Sequence, residues 1–339
     1  MQDGDTRRVE GVVYAATREG YVLPVIDVTN PHFAMPDDAA SVDALFERFA
    51  AEERKRRRLP KFLMRPMLKL MARRSLLLKA IVGSGADFLD GTTTYIMKLG
   101  ADNLPPPFDQ PLDRKLAASP HIGLLRLRTL QTARLIAESV AGDLAAAEGA
   151  PLHLINIGGG PAIDSINTLI LLRRDRPDLV RRPLRIHVLD GDEAGPYFGA
   201  NALAALQAEG RPLSGLDIAF ERIAYDWNQP AVLDRLVRQL ASGPAVIAAM
   251  SEGALFEYGS DEAIIANLKA LAPAGTGSRL IAGSVTRADL IRRRMMRDTK
   301  FKLYPRGIEG FAPLVEAAGG RIVRSLSAGL SDQVLLRVG

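Results

Sequence analysis

Three consecutive glycines, Gly158, Gly159 and Gly160, stand in the stretch LHLINIGGGPAID (residues 152–164), where an apolar run breaks into a turn and then into a helix. With no Cβ on these residues a ligand can come close to the main chain, and the backbone N–H groups from Gly158 to Ala162 are presented at a helix start, which suits phosphates and carboxylates alike. A dinucleotide turn asks for G-x-G-x-x-G/A. Its sixth position here is Ile163, too large for the close helix–strand packing that position serves. Acidic and aromatic residues then recur at the ends of later apolar runs. Asp190 follows the run 184–189, the place from which an acid receives both ribose hydroxyls in nucleoside-binding α/β folds, and Asp192 is its alternative two residues on. The run 218–224 ends in Tyr225-Asp226-Trp227, and the run 245–250 leads into Ser251-Glu252-Gly253-Ala254-Leu255-Phe256-Glu257-Tyr258.

The spacing Gly158-x-Gly160-x-Ala162 resembles motif I of the class I S-adenosylmethionine (SAM) methyltransferases, and the segment from Glu252 to Tyr258 resembles the E-G-x-x-x-Y stretch of their leucine carboxyl methyltransferase-like branch. Ala162 replaces the usual third glycine, Asn156 stands where an Asp or Glu is common, and Tyr258 lies one residue further from Glu252 than the pattern wants. The resemblance covers about residues 119–339. It implies SAM as cofactor, with Asn156 at the methionine end, Gly158, Gly159, Gly160 and Ala162 at the turn, and Ser251 at the end of the fourth strand. Asp190 would serve the ribose, Asp226 the adenine amino group and Trp227 the purine face. It does not imply the acceptor. For a small molecule the candidates that would orient it are Tyr95, Lys98, Tyr225, Glu252 and Tyr258. Methyl transfer to an amine or phenolate needs little acid–base help, since the sulfonium already activates the carbon and positioning supplies most of the acceleration.

These residues have to be positioned by strands alternating with helices, which calls for a parallel sheet covered on both sides. The expected fold is α/β, a Rossmann-like seven-stranded sheet closed by a reversed pair at 321–325 and 333–338. It is preceded by an extension over residues 1–118 that matches no such motif. In that extension 11–29 reads as a hairpin, Ser41 as the cap of a helix, and 54–79 as basic helices. Ser119-Pro120 interrupts before a long helix over 122–147, and the boundary of the SAM-binding domain, 119–339, is placed there. A helical extension before motif I is expected to act as a lid, which argues for a small acceptor.

Composition removes other chemistries. There is no cysteine, and the histidines His32, His121, His153 and His187 lack ligand spacing, so no metal site is expected. The 44 Lys and Arg exceed the 39 Asp and Glu by five, and the excess concentrates at 54–79, which holds eleven basic residues and no acid. A solvated basic face over a packed lid, attachment to an acidic membrane surface, and a nucleic-acid contact all compete for it. The apolar stripe and the lack of exposed aromatics favour the first and make nucleic acid the least favoured. The expected compartment is the cytoplasm. Three alternatives to a small-molecule methyltransferase stay open: a SAM-consuming enzyme that releases methylthioadenosine by aminocarboxypropyl transfer or by closure to azetidine-2-carboxylate, an RNA methyltransferase, and a non-catalytic subunit of the same fold.

Overall fold

The computed structural model describes residues 8–56, 66–67, 70–83, 90–272, 279–289 and 302–339; much of the basic region 54–79 lies outside them. The chain opens with a short hairpin, β1 (Tyr14–Ala16) and β2 (Val22–Pro24), followed by helices α1 (Ala39–Arg56), α2 (Leu76–Gly83), α3 (Gly91–Lys98), α4 (Pro111–Ala117) and α5 (Pro120–Ala146). Strands and helices then alternate: β3 (Leu152–Ile157), α6 (Ile163–Asp175), β4 (Leu184–Asp190), α7 (Ala194–Gln207), β5 (Ile218–Ala224), α8 (Ala231–Leu240), β6 (Val246–Ser251), α9 (Leu255–Tyr258), α10 (Asp261–Leu271), β7 (Arg279–Thr286), α11 (Gly307–Ala317), β8 (Gly320–Ser327) and β9 (Ser331–Val338).

The large sheet has the order β5-β4-β3-β6-β7-β9-β8, with five parallel strands and β9 inserted antiparallel between β7 and β8. This is the expected seven-stranded sheet with its reversed strand. The central strands read as continuous apolar runs because both of their faces are covered. Leu152, Leu154, Val188 and Met250 face one apolar core, while Ile155, Ile157, Ile247 and Ala249 face the other. At the edge, β5 alternates and leaves Glu221 exposed. The chain steps from β3 to β4 and β5 and then crosses back to β6 on the other side of β3. A crevice therefore opens between the segments that leave β3 and β6, which is where ligands bind in open α/β sheets.

The extension joins the first core. Leu23, Val25, Ile26 and Tyr95 share a cluster with Leu154, Ile166 and Phe198. Asn167 on α6 donates to the Ile26 carbonyl and accepts from the Val28 N–H, and the Tyr95 hydroxyl donates to Pro24 and accepts from Ile26. Helix α1 lies across α5 through Phe49 and Leu124.

Two helix starts differ from the sequence expectation. Asp38, rather than Ser41, caps α1, its side chain receiving the Ser41 N–H, so α1 begins three residues early. Ser119-Pro120 does separate α4 from α5, as expected, but it also begins α5 two residues ahead of the expected 122, with Ser119 accepting from Ile122 and Pro120 in the first turn, where its missing N–H costs nothing. The hairpin strands are three residues each, shorter than the apolar runs that contain them. No helix among the described residues is long and apolar enough to cross a membrane.

Candidate active site at the glycine turn

The turn after β3 is shaped by positive φ angles at Gly158 (64°), Gly160 (49°) and Ala162 (52°). Ala162 is therefore not a neutral substitute for glycine. A left-handed alanine costs about 1–2 kcal/mol, and Ala162 holds that conformation at the start of α6. The turn is also walled in. A Cβ at Gly158 would fall 2.7 Å from the Ala254 methyl and 3.0 Å from the Trp227 ring, and one at Gly160 would fall 3.3 Å from the Cα of Gly91 on α3.

The structure separates the two acids after β4. Asp190 reaches the turn itself, its Oδ2 accepting the Gly160 N–H at 2.7 Å and its Oδ1 the Asp192 N–H. Burial raises its pKa, against those two backbone donors. Asp192 instead receives the N–H groups of Glu193, Ala194 and Gly195 at the start of α7. Asp226 is exposed and accepts from the backbone and amide of Asn228 in its own turn. Trp227 lies over Gly158, and its carbonyl accepts from Asn267 on α10.

Three of the sequence candidates have their polar groups engaged elsewhere. The Ser251 hydroxyl donates to the Ile157 carbonyl and accepts from Leu255. Tyr225 donates to Asn267, and Tyr95 is bound into the β2 segment; burial raises both phenols well above their ordinary pKa. Lys98 and Glu252, by contrast, are brought together from positions 154 residues apart, with Nζ to Oε2 at 2.7 Å. Glu252 also accepts from Nε of Arg128 on α5, and Arg128 Nη1 donates to both oxygens of Glu257 at 3.2 and 3.1 Å. All four side chains are 93% or more buried. Burial alone would push the Glu252 carboxyl up, but Arg128 and Lys98 outweigh it and hold the group at about 2. Burial lowers the Lys98 pKa, against the pull of Glu252. The Glu252-Gly253 pair is explained by contact: a Cβ at Gly253 would meet the Arg128 guanidinium at 2.5 Å. Tyr258, at the end of α9, contributes to the field on Arg128.

Arg128 and Glu257 were not among the sequence candidates, and neither was Asp164. Arg128 sits inside an apolar helical run without a motif, and Glu257 at an unassigned position of the 252–258 stretch. Asp164 is 3% exposed, accepts from the Asn156 amide and the Ser165 N–H, and is pushed up to about 6 by burial and by Glu252. Asn156 is fully buried beneath the turn, its amide against Gly159. Among the described residues Asn156 Oδ1, Asp164 Oδ2 and Thr92 Oγ1 are buried without a hydrogen-bond partner. Two of the scattered histidines also meet: His153 and His187 have near-parallel rings with centroids 5.2 Å apart and Nδ1 to Nε2 at 2.9 Å, and burial, with His187 and Arg185, pushes His153 down to about 4. His153 is near the start of β3, at the opposite end of the strand from the turn.

No family model and no curated protein matches the chain. Solved structures do. Mitomycin 7-O-methyltransferase MmcR is 18% identical, with 68% of this chain and 58% of that one covered and a TM-score of 0.39. An O-methyltransferase family protein from Burkholderia thailandensis is 18% identical, with 68% and 60% covered and a TM-score of 0.39. A pericyclic reaction enzyme is 17% identical, with 77% and 63% covered and a TM-score of 0.37. The chain spans about three-fifths of the length of these structures.

Proposed function

We propose that the chain is a SAM-dependent enzyme acting on a small molecule, with methyl transfer as its reaction. The observation that carries this is the pairing of Asp190 with Gly160 at the carboxyl edge of a sheet closed by a reversed hairpin. That pairing puts a carboxylate and a glycine turn side by side at the edge of the crevice. The residues present fit the cofactor. The turn can admit its chain only because Gly158 and Gly160 lack side chains, Asp190 is placed to receive hydroxyls, and the unpaired oxygens beneath the turn can accept from an ammonium. SAM supplies an activated carbon on its sulfonium. The protein's contribution is then binding, orientation and exclusion of water. Trp227 offers a face at the turn, and the first turn of α3 packs on Gly160 from the extension. Lys98 anchors that helix to Glu252.

The second reading, release of methylthioadenosine, is favoured by two features of the amino-acid side of the site: Asn156 replaces the usual acid, and the extension closes on the turn through Gly91. Incubation of the purified protein with SAM, alone and with a panel of small phenols, amines and carboxylates, separates the two. S-adenosylhomocysteine formed only when an acceptor is supplied supports methyl transfer. Enzyme-dependent methylthioadenosine from SAM alone supports the second reading and overturns the first.

A further inference from the structure

The end of β3 and the first turn of α6 together hold one buried carboxylate with an oxygen to spare. Asn156, at the strand end, carries no charge. Its Nδ2 donates to Asp164 Oδ1 and to Ser165 Oγ, which fixes the Asp164 carboxylate eight residues further along the chain. Asp164 Oδ1 is satisfied by Asn156 and the Ser165 N–H, and Oδ2 has no partner among the described residues. A buried oxygen left this way costs about 1–3 kcal/mol, more if charged, so the arrangement calls for a donor that the described residues do not provide. Charge leads to the same conclusion. Glu252 after β6 and Lys98 from α3 act on Asp164; Glu252 in turn pairs with Arg128 from α5, Arg128 pairs with Glu257 from α9, and Asp190 reaches the turn from β4. With Asp164 ionised, the linked buried set of Lys98, Arg128, Asp164, Glu252 and Glu257 has two cations and three carboxylates. Its deficit is one positive charge.

We propose that Asp164, held by Asn156, is the carboxylate that receives the α-ammonium of the cofactor's amino-acid end, the acid of this site having moved from the strand end to the first turn of α6. This rests on the SAM reading above. Asn156 is then a positioning residue, its amide oxygen a further acceptor beside the ammonium. Because the ammonium favours the ionised carboxylate, and burial with Glu252 holds Asp164 at about 6 in the free protein, SAM binding at acid pH releases a proton from this group.

The test uses the full chain and two probes: SAM, and methylthioadenosine, which shares the nucleoside and lacks the amino-acid chain. Calorimetric titration is run on the wild type, on Asp164→Asn, and on Asn156→Asp/Asp164→Asn, which returns the acid to the strand. Asp164→Asn is expected to weaken SAM by about tenfold or more, to leave methylthioadenosine within about twofold, and to abolish the fall in SAM affinity below about pH 6. The double variant is expected to recover most of the SAM affinity. Unchanged SAM affinity in Asp164→Asn overturns the proposal and leaves the cofactor reading intact. Equal loss of both probes in a folded variant also overturns it, since Asp164 then acts only on the shape of the turn. A wild type that binds neither probe overturns the cofactor reading itself.

Discussion

Asp164 is held in a state the fold resists. Its pKa of about 6 lies above the ordinary 3.8, so its contribution to stability is fully present below about pH 4 and is lost as pH rises through about 6. At neutral pH the ionised group costs on the order of 2–3 kcal/mol. Asp164→Asn keeps an oxygen for the Asn156 and Ser165 donors and removes the charge. It is therefore expected to raise the unfolding free energy at about pH 7–8 by roughly 2 kcal/mol and to flatten its dependence between about pH 4 and 6, checked by denaturant titration across that range. Glu252 is the opposite case, a carboxylate the fold depends on in its charged form. Glu252→Gln leaves Lys98 buried with a neutral partner and Arg128 with Glu257 as its one remaining carboxylate, an expected loss of about 3–5 kcal/mol. Lys98→Met should cost less, because Glu252 keeps Arg128 and burial already disfavours the lysine's charge. Thermal melts of the two variants that reversed this order would show that Arg128, not Glu252, is the centre of the network.

The elements around the turn matter through what they bring to it. Helix α10 supplies Asn267, which holds the segment after β5 by accepting from Tyr225 and donating to the Trp227 carbonyl, and so fixes the indole over Gly158. Trp227 is the sole tryptophan, so intrinsic fluorescence reports from the turn alone. A saturable change in that fluorescence is expected on titration with SAM. With Asp190→Ala the titration should shift to concentrations about tenfold higher or more, since the variant loses both the acceptor and the bond that holds Gly160. A normal titration with the variant would remove Asp190 from the site.

At the scale of the whole molecule, the extension is a layer of the core and not a flap hung on a finished domain. Leu23, Val25, Ile26 and Tyr95 are buried against residues of α6 and α7, and Asn167 exchanges two backbone hydrogen bonds with the β2 segment. Removing residues 1–83 would uncover that face and leave the Asn167 amide oxygen and the Tyr95 hydroxyl without their partners. The truncated protein is expected to be insoluble or to bind the hydrophobic dye ANS strongly, where the intact chain does not. A truncation that is soluble, monomeric and melts cooperatively would show that the sheet domain folds on its own.

Periodicity and punctuation are local, and they carried far. The strand–turn–helix at residues 152–164, the acid after β4, the aromatic after β5 and the closing reversed pair all follow from runs of fewer than fifteen residues, because an apolar run and the glycine that ends it act on adjacent backbone. Lys98 and Glu252 stood among the candidates only as separate residues. What tertiary structure alone decided is partnership. Asp190 takes the turn while Asp192 takes the start of α7, Tyr225 and Tyr95 spend their hydroxyls on the scaffold, and Arg128 joins Glu252 to Glu257 across more than a hundred residues. None of these pairings has a sequence period. The charge on Asp164 depends in the same way on Glu252 and Lys98, which are distant in the chain and adjacent only once α3 and β6 are packed around α6. A carboxylate's chemistry is set by its burial and neighbouring charges, and the fold supplies both.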